Sequence, residues 1–349
     1  MKKRVILVNG IVIVISLALL GGIISPFVPL HISVIPSYFG LVFPLVLISA
    51  VLLAIPLMFF PKNKKCFFLL VIVGLLFIPR FYSIKKGEEN SSGINVLSFN
   101  IRGGYSIVDE DKTNKDKNLE NLKKLINSDI DILLFQEMSS RVSDWTFDYL
   151  PYKNIISSKR KGTLIATNYD VIDQGEIDFG TKVNSCVWAD IKTPKGIIRV
   201  YNVHFQSNKI YEETEKAIAE GKEYNPKVFN SMEGIFAKFS RQGIKRIQQA
   251  KLVKAHIKKC EYDVLLGGDF NETPMSYLYN LMNNNLDDHF KKGYGYGATY
   301  PESSPIVRID YLMSSKNISC KRFEILRNIS LSDHLPIKST IKIKIKKAH

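Results

Sequence analysis

The sequence predicts an α/β domain preceded by a membrane region. Long apolar runs occupy most of the first 84 of the 349 residues. After a short polar stretch, apolar runs typical of strands alternate with helical patterns up to the carboxyl terminus. Several of these runs end in Asn, Glu, His or Asp. Because active-site groups collect at strand ends in α/β folds, the pattern indicates an enzyme.

Residues 1–84 are predicted to contain three transmembrane helices, at about 5–24, 36–60 and 66–84. The first run carries no charge and follows Lys2, Lys3 and Arg4. A signal peptide begins in the same way, but this run is longer than a signal core, and no small-x-small cleavage site follows it. A membrane helix is therefore expected.

The second apolar run fits a membrane-spanning helix better than the third. Residues 36–60 are uncharged and long enough to span, with Pro44 and Pro56 as expected kinks. Pro79 and Arg80 interrupt the third run, for which an interfacial hairpin is the alternative. Basic residues flank the runs at 2–4 and 62–65, and none occurs in 25–37. The positive-inside rule then predicts a multi-pass protein of the inner or plasma membrane, with its catalytic domain outside the cytoplasm.

Composition sets loose limits on partners. The formal net charge is +15, of which +8 belongs to residues 81–349. That excess suits a polyanion or an anionic membrane surface, but no Lys/Arg tract interleaved with aromatics marks a nucleic-acid stripe. The four cysteines form neither a CxxC zinc motif nor a disulfide framework, which predicts free thiols.

Residues 85–92 are predicted to be a linker and 93–349 the catalytic domain. A charged, exposed and partly helical connection is expected at 209–239. Helices are predicted at 118–127, 240–259 and 275–284. Strands are predicted at 94–101, 130–136, 163–167, 185–191, 197–205, 263–266, 309–313, 320–325 and 337–345.

The stretch LLGGDFNETP (265–274) organises the predicted site. Gly267 and Gly268 let the backbone turn and approach a ligand closely. Asp269 and Asn271 lie two residues apart, so in extended geometry they share a face. A carboxylate and an amide together suit an oxyanion bound with a hard divalent cation. The alternative is a Gly-Asp-Asn turn without chemistry.

Other strand ends add polar groups that a core would not favour. A single buried Asp or His is often only a structural partner, but five separate apolar strands carry such groups. The Gly/Tyr-rich loop at 294–300 would either stack on a base or sugar or be an ordinary surface loop. The basic turn at 159–161 would either meet phosphate or lie in solvent. The polar groups at the strand ends are Asn100, Gln136, Glu137, Asn202, His204, Arg308, Asp310, Asp333 and His334.

Six motifs follow one another along the predicted catalytic domain: LSFNIR (97–102), LLFQEM (133–138), YNVHFQS (201–207), GGDFNETP (267–274), RIDYLM (308–313) and SDHLPI (332–337). In this order they resemble the endonuclease/exonuclease/phosphatase superfamily, which includes deoxyribonucleases, exonuclease-III-type enzymes and neutral sphingomyelinases. The resemblance covers about 250 residues and excludes the membrane region. It implies two packed β-sheets flanked by helices, a four-layered sandwich.

The resemblance also implies a metal site and a substrate site. Glu137 resembles the main Mg²⁺ ligand, with Asp333 as a second acidic group and Asn100 near both metal and phosphate. Asp269 resembles the carboxylate that orients or deprotonates the attacking water. Asn271 resembles a donor to phosphate oxygens. Mg²⁺ is the implied cofactor, with Mn²⁺ as a substitute.

Two histidines complete the implied machinery. His334 resembles the histidine at the scissile phosphate, and Asp310 resembles its carboxylate partner. His204 resembles the second histidine of the deoxyribonuclease and sphingomyelinase branches, which would also contact substrate. A His held by an Asp is oriented and made more basic, which suits proton transfer near neutral pH. Whether the Asp–His pair or Asp269 is the general base stays open.

The sequence therefore predicts a membrane-anchored, Mg²⁺-dependent phosphodiesterase with a monomeric catalytic domain. A nuclease acting on nucleic acid is the leading expectation. A sphingomyelinase-like or phosphoinositide-type lipid phosphodiesterase or phosphatase is the enzymatic alternative. A membrane-tethered binding module without turnover is the non-enzyme alternative, and the intact set of motif residues counts against it.

Overall fold

The structure, a computed structural model, describes residues 2–59, 64–88, 92–104, 112–127, 129–138, 150–159, 162–181, 184–207, 232–302 and 306–344. Its α-helices are α1 (Lys2–Ile24), α2 (Ile35–Leu41), α3 (Phe43–Leu57), α4 (Lys65–Leu75), α5 (Lys112–Ile126), α6 (Met232–Lys258) and α7 (Tyr277–Asn283). Its strands are β1 (Tyr82–Ile84), β2 (Ile94–Asn100), β3 (Ile132–Gln136), β4 (Asn154–Ser157), β5 (Thr163–Thr167), β6 (Asp170–Ile177), β7 (Ser185–Thr193), β8 (Gly196–His204), β9 (Asp263–Asp269), β10 (Asp287–Asp288), β11 (Tyr294–Tyr296), β12 (Asp310–Ser314), β13 (Ile318–Ile325) and β14 (Ile337–Ile343).

Two six-stranded mixed sheets pack face to face, which confirms the predicted fold class. Sheet A has the order β10-β12-β9-β8-β7-β6, and sheet B has the order β13-β14-β2-β3-β5-β4. The parallel pairs are β8 with β9 and β2 with β3. Because each parallel pair ends at the same edge, the carboxyl ends of four central strands can meet between the sheets.

Alternate residues of a strand fill different layers. In β3, Ile132 and Leu134 face the core between the sheets, whereas Leu133 and Phe135 pack with α5 on the outer face. Because both faces of β3 are buried, its sequence is a continuous apolar run rather than an alternation of apolar and polar residues. Helices α6 and α7 cover the outer face of sheet A in the same way.

Buried polar groups join the two sheets. Gln136 Nε2 donates to Asn202 Oδ1 (2.7 Å), and Asn202 Nδ2 donates to the carbonyls of Phe135 and Leu164 (2.7 and 2.8 Å). Asn202 lies in sheet A and the other three residues lie in sheet B. These two strand-end polar residues therefore hold the sheets in register, because leaving them unpaired in the core would be costly.

His289 forms a second polar bridge between the sheets. Its Nε2 lies 2.8 Å from Ser314 Oγ in sheet A, and its Nδ1 lies 2.8 Å from Ser339 Oγ in sheet B. Ser314 already donates its proton to Ile318 O (2.8 Å), so it accepts from Nε2–H, and Nδ1 accepts from Ser339. Burial lowers the pKa of His289 to about 4 and keeps the ring neutral.

Several element bounds differ from expectation. The sequence did not predict β1, β4, β6, β10 or β11; β6 is an edge strand without buried residues and without apolar alternation. Helix α6 begins at Met232, eight residues before its predicted start. The predicted connection at 209–239 lies outside the described residues up to 231, as do residues 160–161 of the basic turn and residues 62–63 of the loop at 62–65.

The described residues offer fewer candidate spanning helices than the three predicted, whose number stays a prediction. Among the described residues, one helix, Ile6–Phe27, is long and apolar enough to cross a membrane, and α2 with α3 forms a pair bent by 76°. Helix α4 has 11 residues, about 16 Å against a hydrocarbon core of about 30 Å. The chain then turns at Pro79 and enters β1, because proline removes a helical hydrogen bond.

The segments beside these helices pack onto the predicted catalytic domain. Leu30 is 5% exposed and lies in the apolar core under sheet A. Strand β1 pairs with β11, and Arg80 donates from Nη1 to the carbonyl of Pro274 (2.7 Å). The core therefore crosses the predicted domain boundary at residue 93.

Replacing Leu30 by Ala should test that packing. A buried Leu→Ala change removes apolar contacts and leaves a cavity, which costs roughly 2–5 kcal/mol. We expect a loss in that range in the free energy of unfolding of the full chain in detergent, measured by denaturant titration of tryptophan fluorescence. Ile32→Ala is the matched control, because Ile32 is 71% exposed, and it should change stability by less than about 0.5 kcal/mol. Equal effects of the two changes would show that Leu30 does not belong to the core.

His289 should make stability fall in mildly acidic solution. The pKa of His289 drops from its ordinary value of 6.5 to about 4 in the folded chain. The unfolded chain therefore binds a proton between pH 6.5 and 4 that the folded chain does not, and stability is lost as pH falls through that window, by up to about 3 kcal/mol. His289→Gln should lower stability at pH 7 and flatten the pH dependence between 6.5 and 4, measured by urea midpoints. The exposed His31, changed to Gln, should leave the wild-type slope; an unchanged slope in His289→Gln would contradict the assignment.

Candidate active site

Four polar residues meet where the central strands end. Asn100 ends β2, Glu137 directly follows β3, His204 ends β8 and Asp269 ends β9. In the ladders, Asn100 pairs with Gln136 and His204 pairs with Asp269. Asn100 and Asp269, 169 positions apart in the sequence, therefore meet, because the parallel strands of both sheets end at one edge.

Asn100 holds the two carboxylates of this group. Its Nδ2 donates to Glu137 Oε1 (3.1 Å) and to Asp269 Oδ2 (3.0 Å), and its Oδ1 accepts from the backbone N–H of Arg102 (3.0 Å). His204 is buried, and its Nε2 lies 3.3 Å from Glu137 Oε1 and 3.8 Å from Asp269 Oδ2. Its Nδ1 has no hydrogen-bond partner among the described residues.

Asp269 is the centre of the arrangement. Its Oδ1 accepts from the backbone N–H of Asn271 (2.7 Å), and its Oδ2 accepts from Asn271 Nδ2 (3.1 Å). Asn271 Nδ2 also donates to Phe205 O (3.0 Å). The amide predicted to bind phosphate oxygens is thus directed at protein acceptors here, and its predicted role stays a prediction.

Asp310 and His334 form the second half of the site. Strand β12 runs antiparallel to β9 and places Asp310 opposite Asp269. Asp310 accepts from His334 Nδ1 at 3.0 Å, and His334 Nε2 lies 3.8 Å from Asp269 Oδ2. The structure thus brings the predicted pair together and points its free ring nitrogen towards the central carboxylate.

Burial and neighbouring charges move the pKa values of His334 and Asp269 away from their ordinary values. Burial alone would lower the pKa of His334, but the negative charges of Asp310 and Asp269 raise it to about 10. Burial raises the pKa of Asp269 to about 6, against the opposing charge of His334. His334 is therefore a cation at neutral pH beside a carboxylate that titrates close to neutrality.

The other pair is balanced in a similar way. Burial would raise the pKa of Glu137, but the hydrogen bond and charge of His204 and the hydrogen bond of Asn100 lower it to about 2. The pKa of His204 rises above its ordinary value, because Glu137 and Asp269 outweigh the effect of burial. Glu137 is thus ionised throughout the physiological range.

Asp333 stands apart from this group. Its carboxylate lies 3.5 Å from Arg102 Nε and accepts from Ser332 Oγ at 3.0 Å. Groups with ligand atoms within 4.8 Å of one another are Glu137, His204 and Asp269, and Asp269, Asp310 and His334. The predicted metal role of Asp333 therefore stays a prediction, with Arg102 as its observed partner.

The backbone is strained where these side chains turn into the site. Glu137 and Asn271 have positive φ angles of 53° and 52°, which are uncommon for residues with a side chain. Gly268 has φ of 132°, and a Cβ there would collide with the carbonyl of Val203. The glycine of the GGDFN motif is thus required for the close approach of β9 to β8.

The site fits a hard divalent cation on the Glu137 side. Glu137 and Asp269 supply carboxylate oxygens, which Mg²⁺ and Mn²⁺ prefer, and Asn100 holds both of them. His204 adds a buried imidazole with an unpartnered nitrogen. On the Asp310 side, Asp269, Asp310 and His334 also bring ligand atoms within 4.8 Å of one another, but there the Nδ1 of His334 already donates to Asp310.

The sequence alone assigned no role at the site to Arg102 or Thr299, and it left the role of Tyr300 open. Arg102 follows the LSFN motif and pairs with Asp333, and Thr299 Oγ1 accepts from the backbone N–H groups of Ile309 and Asp310 (3.1 and 3.2 Å). Tyr300 lies in the Gly/Tyr-rich loop, and its ring stacks on His334 with centroids 4.8 Å apart. This loop is thus packed on the site, and its aromatic content was the signal available in the sequence.

Solved structures with this architecture have low sequence identity. A mannosyl-6-phosphatase from Bacteroides thetaiotaomicron has 18% identity and a TM-score of 0.51, covering 72% of this chain and 100% of its own. An endonuclease/exonuclease/phosphatase from Bacteroides vulgatus has 19% identity and a TM-score of 0.53, covering 73% and 100%. A humanized D. rerio TDP2 has 14% identity and a TM-score of 0.53, covering 72% and 100%. At such identities the likeness shows the fold alone.

Sequence comparison gives the more decisive result. No curated protein matches the chain significantly. The sequence profile of the endonuclease/exonuclease/phosphatase family, however, matches residues 97–334, which is more than half of the chain and contains every residue of the site described above. The chain therefore belongs to the endonuclease/exonuclease/phosphatase family and is a hydrolase of phosphoric esters.

Proposed function

We propose that this protein is a membrane-anchored, divalent-metal-dependent phosphodiesterase. The observation that carries the proposal is the placement of Asp269 between two differently charged partners. On one side it shares Asn100 with Glu137, and on the other it faces the cationic His334. Hydrolysis of a phosphodiester needs an activated water, neutralised equatorial oxygens and a stabilised leaving oxygen, and these groups can supply all three needs.

The chain's own residues then have distinct tasks. Asp269, with a pKa of about 6, orients the attacking water and accepts its proton. His334, held by Asp310, carries its charge at the phosphate and stabilises the developing negative charge. His204 and Asn100 bind substrate oxygens near Glu137. A cation held by Glu137 would add Lewis-acid stabilisation of phosphoryl oxygens.

Anchoring to the membrane is supported by the amino-terminal region. Helix α1 carries the one apolar segment among the described residues that is long enough to span by itself. The same property is shared by signal sequences, but Leu19 of α1 is itself buried in one apolar cluster with Phe43 of α3 and Met275 of the catalytic domain. We therefore propose that α1 is retained as an anchor and that the catalytic domain lies outside the cytoplasm.

Two substrate classes compete. The sequence favours a nuclease, and a D. rerio TDP2 of the same fold has been solved with a single-strand DNA product. The structure adds an observation that favours a phospholipid or related amphiphile, because apolar helices α2 and α3 lie beside the loop that carries Tyr300. The catalytic residues are compatible with both classes.

Activity should depend on a hard divalent cation, because the candidate ligands are carboxylate and amide oxygens. The full chain in detergent would be incubated in parallel with DNA, RNA, sphingomyelin, phosphoinositides and bis(4-nitrophenyl) phosphate. EDTA should abolish turnover, and Mg²⁺ or Mn²⁺ should restore it. Undiminished hydrolysis in EDTA would contradict the metal dependence. Hydrolysis of none of the diesters would contradict the proposed phosphodiesterase activity.

The two histidines should each contribute to turnover. General acid–base groups are typically worth ~10²–10⁴-fold in rate, so His334→Ala and His204→Ala should each lower kcat on bis(4-nitrophenyl) phosphate by about that factor. Asp310→Asn should resemble His334→Ala, because it removes the charge that holds the imidazolium. The double histidine variant should lose less than the product of the single losses.

His31→Ala is the control, because His31 is exposed and remote in sequence from every motif. Circular dichroism melting of each variant separates folding from chemistry. If His204→Ala lowered the melting temperature but spared the rate per folded molecule, His204 would be a buried structural partner only.

A further inference from the structure

A cavity of 410 Å³ lies between the membrane region and the catalytic domain. Leu41, Leu45 and Ile48 of the bent α2–α3 pair line one wall. Pro274 and Ala298 belong to the opposite wall, which the catalytic domain provides. The volume falls within the range of about 300–1,000 Å³ that is usual for small-molecule sites.

The lining offers a ligand almost no free charge. Arg308 is its charged member, and Arg308 Nη1 pairs with Asp288 at 2.8 Å while Nη2 donates to the carbonyl of Arg80 (2.9 Å). The hydroxyl of Tyr296 donates to Ile306 O (3.0 Å). Because Asp288 compensates the charge of Arg308, and the Tyr296 hydroxyl is bonded to Ile306, the cavity suits an uncharged apolar group.

The cavity and the catalytic centre share one loop. Ala298 lines the cavity, and the next residue, Thr299, accepts from the backbone N–H of Asp310. Val307 also lines the cavity, and its carbonyl accepts from the N–H of Tyr300 (3.1 Å), whose ring stacks on His334. A ligand in the cavity is thus separated from the catalytic histidine by the thickness of this loop.

The other side of the cavity opens towards the surface that the anchor would place in lipid. Leu45 is 55% exposed and Ile48 is 56% exposed, although both are large apolar residues of α3. A soluble protein would rarely leave such a row in water. The cavity therefore lies between these exposed apolar residues of α3 and the loop that packs on His334.

We propose that this cavity holds the hydrocarbon chain of an amphiphilic phosphoester whose phosphate is hydrolysed at Asp269 and His334. The inference rests on the proposed phosphodiesterase activity and specifies its substrate class. A nucleic acid has no apolar chain to place there. The residues from α2 and α3 lie outside the family match at 97–334, so one wall of this site is supplied by the amino-terminal region.

Two chromogenic diesters that differ only in their alkyl group provide the test. Methyl and dodecyl 4-nitrophenyl phosphate would be compared with the full chain in lipid nanodiscs. In both, water adds to phosphorus, the bond to the 4-nitrophenyl oxygen breaks, and 4-nitrophenolate and an alkyl phosphate leave. Because each buried methylene contributes to binding, the dodecyl ester should have a KM at least ~10-fold lower.

Variants separate the cavity from simple partitioning into the bilayer. Leu45→Trp and Ile48→Trp fill the cavity and should raise KM for the dodecyl ester by about 10-fold while leaving the kinetics of the methyl ester unchanged. Leu69→Trp is the matched control, because Leu69 is 62% exposed on α4 and does not line the cavity. It should leave both esters unchanged, since partitioning is the same in all variants.

Dodecyl phosphate with a terminal diazirine gives a readout that does not need turnover. Crosslinks at residues 41–48, 296–298 and 306–308, lost in Leu45→Trp, would support the proposal. Equal KM values for the two esters, equal effects of the Trp variants on both esters, or crosslinks confined to the outer faces of α1 and α4 would overturn it. If neither ester were hydrolysed, the proposed phosphodiesterase would fail, and the crosslinks alone would decide the cavity.

Discussion

The site depends on the balance of charge around the buried carboxylate of Asp269. Three carboxylates, those of Glu137, Asp269 and Asp310, lie close together with two imidazoles, His204 and His334. Burying this many negative charges without partners would be prohibitively costly. The carboxylates therefore raise the pKa of both imidazoles, that of His334 to about 10, and the pKa of Asp269 rises to about 6 because burial outweighs the positive charge beside it. The same balance that makes the cluster stable also sets a carboxylate that titrates near neutrality beside an imidazolium, the pairing that the proposed hydrolysis needs.

Much of this site could be predicted because the apolar patterns that mark the strands end at the same positions as the residues with catalytic side chains. The runs ending at Asn100, Glu137, His204 and Asp269 are apolar enough to mark strands, and a polar residue at the end of each is out of place in a core. The sequence could not decide between functional and structural roles for such residues. Asn202 has the same signature as His204, but its amide is used up in joining the two sheets. His289 joins the sheets from a short segment that carries no motif at all.

The amino-terminal apolar region was the hardest part of the structure to predict, because hydropathy measures how apolar a segment is and not what its residues contact. Leu30 and Leu45 look alike in sequence, but Leu30 is buried under sheet A whereas Leu45 is largely exposed. The end of the third run was misread for a related reason. Arg80 looked like an interruption of a spanning helix, whereas its side chain donates to Pro274 O and its carbonyl accepts from Arg308.

Arg308 connects these parts of the molecule. It is fully buried, paired with Asp288 and bonded to the carbonyl of Arg80, so it joins the segment that follows α4 to the loop beside the cavity. Two residues further on, Asp310 begins β12 and holds His334. A buried guanidinium that lost its partners would be strongly destabilising, so the position of the membrane-side segment and that of Asp310 are fixed together. The amino-terminal region is thus part of the frame that positions the catalytic pair, and not merely a tether attached to a complete domain.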